Sequence, residues 1–200
     1  MYPPPIKNII DLFTKLPGIG PRQAARFAFY LLKEKETARA ISQELAALDE
    51  RVCFCENCFR AIEKDGTNSA VCAFCRDGKR DNAQIAVVEK ESDLQNFEKS
   101  SAYRGTYHVL GGTLSPFDAE SPRKLHLRAL YERVEATLQK SGGTCEVILA
   151  TNPTTEGDTT ALYIDRVLAP LKEKHPHLTI TRLGRGLSLG SELEYADEVT

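Results

Sequence analysis

Two Cys-x2-Cys pairs constrain this chain more than any other feature. Cys55 and Cys58 form the first, Cys72 and Cys75 the second, and 13 residues separate them. Each pair suits a tight turn that aims two sulfurs at one point. Four thiolates give zinc a closed tetrahedral shell with no open position. Such a site is structural, and metal binding there is folding energy on the order of 10–16 kcal/mol. The surrounding segment of about 28 residues is too small to bury a sufficient core unaided. The separation is a little shorter than the usual spacing of about 15–20 residues. A redox dithiol and ordinary core cysteines are the competing readings. Cys53, two residues before Cys55, has poor knuckle spacing and reads as buried or spare. Cys145 precedes a strand pattern and reads as a small core residue.

Metal rather than disulfides also suits the rest of the chain. The N-terminus, Met1-Tyr2-Pro3-Pro4-Pro5, carries no basic stretch followed by an apolar run. The expectation is therefore a cytoplasmic protein, in which thiols stay reduced. No window approaches 18 apolar residues, which excludes a transmembrane helix. With 42% hydrophobic and 27% charged residues over 200 positions, collagen-like and wholly disordered classes are excluded. The formal net charge of −2 excludes a globally basic protein but not a local basic patch. Charge is unevenly placed. Residues 1–54 hold 8 Lys/Arg against 6 Asp/Glu, and residues 85–200 hold 13 against 17.

The basic end is helical. Ile6, Ile9, Ile10 and Phe13 recur at helical spacing. Leu16-Pro17-Gly18-Ile19-Gly20-Pro21 then breaks the helix, and Pro21 suits the first turn of the next. A third helix is expected over 37–51, with Ala38, Ile41, Leu45 and Leu48 as its apolar face. Helix, Leu-Pro-Gly-Ile-Gly, helix is a helix–hairpin–helix pattern. Gly18 and Gly20 let the backbone turn sharply and expose N–H groups, to which the next helix adds the positive end of its dipole. Arg22 and Arg26, four residues apart, share one helix face beside the hairpin. Such groups grip phosphates rather than bases, which predicts DNA binding without sequence preference. The plainer alternative is a helical hairpin with solvated arginines.

From about residue 84 the pattern changes to alternating strands and helices. Strands are expected at 85–88, 106–110, 147–150 and 178–180, with helical stretches near 92–99, 123–140 and 158–174. This alternation predicts a mostly parallel sheet with helices on both faces. The fold class is thus α+β and multidomain: a helix–hairpin–helix region over 1–52, a small four-cysteine zinc finger over 53–80 and an α/β domain over 81–200. Glu89 directly follows Val87-Val88, and Glu156 and Asp158 follow the 147–150 strand after a short loop. Open parallel sheets build sites beyond the carboxyl ends of their strands. Three carboxylates converging there could hold magnesium and assist phosphoryl transfer. Spacing alone favours ordinary loop carboxylates. Asp93 and Glu98 read as helix-surface residues, His108 as a hydrogen-bonded core histidine and Asp118 as part of a turn.

The order of these motifs resembles the bacterial RecR family of recombination mediators. The resemblance spans nearly the whole chain. It includes the Leu16–Pro21 string, both cysteine pairs with Arg76-Asp77, Tyr107-His108-Val109-Leu110-Gly111-Gly112, and Ala150-Thr151-Asn152-Pro153-Thr154-Thr155-Glu156-Gly157-Asp158. Arg182-Leu183-Gly184-Arg185-Gly186-Leu187 and the closing Leu193–Thr200 complete it. The resemblance implies that the α/β part is a Toprim domain, with Glu89, Glu156 and Asp158 at its acidic positions, where the family meets RecO. It implies a non-enzymatic partner of RecO, and in some pathways of RecF. These proteins help load RecA onto single-stranded DNA at gaps and ends. It further implies a ring-like tetramer closed through the N-terminal helices and the C-terminal segment. Arg22 and Arg26 match positions where the family carries basic residues for DNA. Ser188 stands where the family usually has proline, Glu156-Gly157-Asp158 where it often has Glu-x-Glu, and family members usually run a few residues past Thr200.

Two function classes follow: a DNA-binding clamp and adaptor, or a magnesium-dependent Toprim enzyme. The acidic residues are the enzyme's only support. None of the seven tyrosines sits in a recognisable nucleophile context, and no general acid or base stands in a motif. A zinc-ribbon adaptor that binds only protein is a third option, against which the hairpin string argues.

Overall fold

The computed structural model describes residues 2–64, 66, 70–99, 101–115 and 117–184. The expectations for the Gly186–Gly190 loop and for the C-terminal oligomer contact lie outside these residues. The chain forms two compact units, Met1–Val52 and Cys53–Thr200.

The first unit holds three helices: α1 (Pro4–Phe13), α2 (Pro21–Lys33) and α3 (Lys35–Arg51). Prolines stand at the starts of α1 and α2, where a missing N–H costs nothing. Ile10, Ala24 and Ala28 form a small core, joined by Ile6, Phe13, Ile19 and Ala25. The small Ala24 and Ala28, one turn apart, let α1 approach α2 closely. The expected apolar face of α3 exists as a pattern but not as a core. α3 has no buried residue, and Ile41, Leu45 and Leu48 are exposed.

The second unit opens with the short strands β1 (Val52–Phe54) and β2 (Ala61–Glu63), which pair with each other, and a single helical turn α4 (Ala73–Arg76). There follow β3 (Asp81–Val88), α5 (Glu91–Lys99), β4 (Gly105–Val109), α6 (Ser121–Lys124), α7 (Leu127–Lys140), β5 (Cys145–Ala150), α8 (Thr155–Lys174) and β6 (Leu178–Arg182). Four strands form a parallel sheet in the order β4-β3-β5-β6. Ile85 pairs with Thr106 on one side and Val147 on the other.

Alternation along these strands divides the core in two. Ile85, Val87, Val147 and Leu149 pack under Leu130, Val134 and Leu138 of α7 and Ile164, Leu168 and Leu171 of α8. Ala86, Val88, Tyr107 and Val109 face the other way, toward Leu94 and Phe97 of α5 and toward Phe59 and Phe74 of the cysteine segment. Helices therefore cover both faces, as the sequence pattern requires.

One expected helix is divided. The stretch near 123–140 breaks at Leu125, which is extended (φ −95°, ψ 149°) and buried. The His126 N–H donates to the Leu110 carbonyl at 3.0 Å, and its Nδ1 lies 3.0 Å from the Val109 carbonyl. Those bonds tie the chain to the end of β4 before α7 begins.

Candidate metal centre and nucleic-acid interface

The four cysteines converge as their spacing requires. Their sulfurs lie within 4.8 Å of one another, and this is the one cluster of three or more potential metal ligands among the described residues. The Cys58 and Cys72 sulfurs are 3.5 Å apart. The Cys72 N–H donates to Cys55 Sγ at 3.3 Å and the Cys75 N–H to Cys72 Sγ at 3.4 Å. These backbone donors stabilise thiolate charge, as a metal-binding knuckle needs. Cys53 stands half-buried on β1, outside the cluster. Cys145 is buried at the start of β5, and burial pushes its thiol up to about 11.

Sequence reasoning missed how firmly this segment is fastened to the sheet. The Cys58 carbonyl accepts the Val109 N–H at 2.8 Å, so the first knuckle caps the edge strand β4. Phe59, next in the chain, adopts a left-handed φ of +62°. Its ring stacks on His126 at 3.9 Å and meets His108 edge-on at 5.4 Å. Arg133 of α7 donates to the carbonyl of Asn57 at 3.0 Å, to Thr106 Oγ1 at 2.9 Å and to the Tyr107 carbonyl. From the second knuckle, the Phe74 ring carries the Arg60 and Arg80 guanidinium groups, each 4.4 Å from its centroid. Arg80 in turn donates to both oxygens of Glu98, at 2.9 and 2.7 Å, and Tyr107 donates to Glu98 at 2.8 Å. The hydrogen bond from Arg80 holds the Glu98 carboxyl below the usual carboxylate range. Glu98 is thus a tie between α5 and the strands, not the free surface residue its helix position suggested.

His108 is the core histidine expected. It is buried, its Nε2 lies 3.0 Å from the His126 carbonyl, and burial pushes its pKa down to about 3. Asp118 closes a turn by accepting the Glu120 N–H at 2.9 Å and pairs with Lys124 at 2.6 Å.

In the helical unit, Gly18 takes a left-handed φ of +78°, which disfavours a side chain there. Gly20 differs from the expectation. It is extended (φ −82°, ψ 167°) and serves as N-cap of α2, so the sharp turn belongs to Gly18. What Gly20 contributes is openness. No atom lies within 4 Å of where its Cβ would be, and no side chain caps the helix. The first N–H groups of α2 lack intrahelical acceptors, and Arg22 and Arg26 are exposed beside them. This arrangement can hold a phosphate.

The three acidic residues stand at the carboxyl end of the sheet, but the structure does not gather them. Connections from β3 and β5 leave in opposite directions there, the usual place for a site. Glu89 is only 3% exposed. Its Oε1 accepts the Asn152 backbone N–H and its Oε2 the Asn152 side-chain amide, each at 2.7 Å. Glu156 and Asp158 lie in the first turn of α8, where negative charge suits the helix dipole. Glu156 is exposed, while Asp158 pairs with Arg182 of β6 at 2.5 Å.

A family model described as "RecR, helix-hairpin-helix" matches residues 6–48, and a Toprim domain model matches residues 83–184. The chain is 42% identical over 202 residues to "Recombination protein RecR" of Cutibacterium acnes, covering 100% of this chain and 92% of that protein. The chain belongs to the RecR family. Two further relatives called "Recombination protein RecR" show the same extent of likeness. That of Magnetococcus marinus is 44% identical, covering 98% of this chain and 92% of the relative. That of Enterococcus faecalis is 41% identical, covering 100% and 93%. This RecR-family chain carries, in order, the helical hairpin, a four-cysteine cluster positioned for a metal ion and the Toprim sheet. No described helix is long and apolar enough to cross a membrane.

Proposed function

We propose that this chain is a non-enzymatic DNA-binding mediator of recombinational repair. It acts in the cytoplasm as an oligomeric clamp that works with RecO, and in some pathways RecF, to help load RecA at single-stranded gaps. The observation that carries this reading is the uncapped start of α2, with Gly18 and Gly20 before it and Arg22 and Arg26 exposed beside it. These groups contact phosphates, so binding is independent of sequence and weakens with salt. Each subunit offers few such contacts, and affinity comes from multiplicity. The exposed Ile41, Leu45 and Leu48 of α3 support assembly, since a contiguous apolar face on a helix marks an interaction surface. The ring is a tetramer in this reading.

In this reading the cysteine group takes one zinc ion. It holds the knuckles folded and, through them, caps the edge of the Toprim sheet. Zinc supplies structure there and no reactive position. The acidic end of the sheet, with Glu156 exposed, is the face offered to RecO.

The test is a salt-controlled titration of gapped DNA with the zinc-loaded chain and with Arg26→Ala. The variant should keep the melting temperature of the parent, lose affinity about tenfold and show a shallower salt slope. Unchanged affinity and slope would contradict the reading.

A further inference from the structure

A Toprim fold implies a divalent cation held by carboxylates, and the groups at this sheet end do not fit one. Magnesium needs oxygen ligands in near-octahedral order at about 2.0–2.1 Å. Glu89, the most buried of the three acids, has both oxygens engaged by a single residue. The Asn152 backbone N–H reaches Oε1 and its side-chain amide reaches Oε2, each at 2.7 Å. Asp158 is paired with Arg182. The three acids do not form a ligand cluster of the kind the cysteines make.

The surroundings close the place further. Gly157, between Glu156 and Asp158, sits so near the turn that an added Cβ would overlap the Asn152 carbonyl oxygen and lie 3.0 Å from Glu89 Oε1. The Gly157 N–H donates to Thr154 Oγ1 at 3.1 Å, which caps α8. Glu89, Asn152 and the first turn of α8 are thus packed against one another.

We propose that Asn152 stands in for the cation. Its two N–H donors satisfy both Glu89 oxygens through hydrogen bonds and lock the 151–154 turn to the end of β3. Glu89 is then a positioning residue. It fixes where α8 begins and so where Glu156 is presented, and it needs no metal to do so. The Toprim acidic face of this chain is therefore metal-independent. The inference stands apart from the DNA-binding reading, because its readouts involve neither DNA nor a partner protein.

The test uses the full zinc-loaded chain. Calorimetric titration of the parent with magnesium chloride should give no saturable binding, and magnesium should not move its melting temperature. Asn152→Ala should raise amide exchange across residues 152–157 by about tenfold, with or without magnesium. Asn152→Asp sets a second carboxylate against Glu89, so it should melt lower than the parent and regain the loss when magnesium is added. Saturable magnesium binding by the parent that Glu89→Gln abolishes would overturn the proposal. So would unchanged exchange in Asn152→Ala, a result that stands even where Asn152→Asp fails to fold.

Discussion

Phe74 lies under the guanidinium of Arg80 at 4.4 Å from ring centroid to Cζ. Phe74 lies between Cys72 and Cys75 of the four-cysteine cluster in the chain, and Arg80 is held by Glu98 of α5. Arg60 sits at 4.4 Å from the same ring. One aromatic side chain therefore belongs both to the cysteine cluster and to the sheet's second core. Truncating it should loosen both. Phe74→Ala is expected to cost on the order of 2–3 kcal/mol through lost packing and two lost cation–π contacts. The same variant should speed the reaction of the cysteines with a thiol reagent. An unchanged melting curve and unchanged thiol reactivity would show that the two regions are energetically separate.

Denying the cysteine group its proposed zinc should act more strongly. The cysteine segment has only a small core of its own, so chelation should unfold it and uncap β4, where Val109 bonds the Cys58 carbonyl. Cys58→Ala should lose stoichiometric zinc and melt well below the parent. A native-like melt without zinc would mean that the site is not structural.

Acid should destabilise the chain in two windows. His108 is kept neutral by burial, with a folded pKa near 3 against an ordinary 6.5. The unfolded chain therefore binds the extra proton first. Stability is full above the ordinary value and falls as pH drops from about 6.5 toward 3. Glu98, lowered by its bond from Arg80, acts later. Its contribution is present above the ordinary carboxylate pKa of about 4.3 and is lost as pH falls through the folded value. His108→Gln should flatten the melting-temperature profile between pH 6.5 and 5 by about one proton's slope. Glu98→Gln should flatten only the more acidic limb. Profiles parallel to the parent would contradict both assignments.

Gly157 should resist substitution. An added methyl meets backbone rather than a flexible side-chain end, so Gly157→Ala is expected to cost about 1–3 kcal/mol. Gly20→Ala, with open space at its Cβ, should melt like the parent. Equal melting temperatures for Gly157→Ala and the parent would contradict the close packing of this turn.

The cysteine spacing and the strand–helix alternation were legible in the sequence because each is a local pattern with one dominant physical solution. The break before α7 was not, since it depends on His126 bonding to Leu110, a residue distant in sequence. α3 shows the reverse case. Its periodicity is helical and the helix is present, yet Ile41, Leu45 and Leu48 remain exposed. Periodicity reports that a face is apolar, not what covers it. At the acidic end, sequence placed Glu89, Glu156 and Asp158 beyond the carboxyl ends of two strands but could not show that Asn152 occupies Glu89. The only signal was its place in the loop leading to the acidic pair. The ties through Phe59, Phe74, Arg133 and Glu98 left no short-range trace, because each joins segments far apart in the chain.

The most direct measurement of the central claim is one reaction read on two gels. The zinc-loaded chain is incubated with end-labelled gapped DNA and magnesium, then divided between a native and a denaturing gel. A DNA-binding mediator gives a native shift with every strand intact. Strand cleavage or covalent linkage that Glu89→Gln abolishes would show working Toprim chemistry, and the account of a non-enzymatic clamp would be wrong.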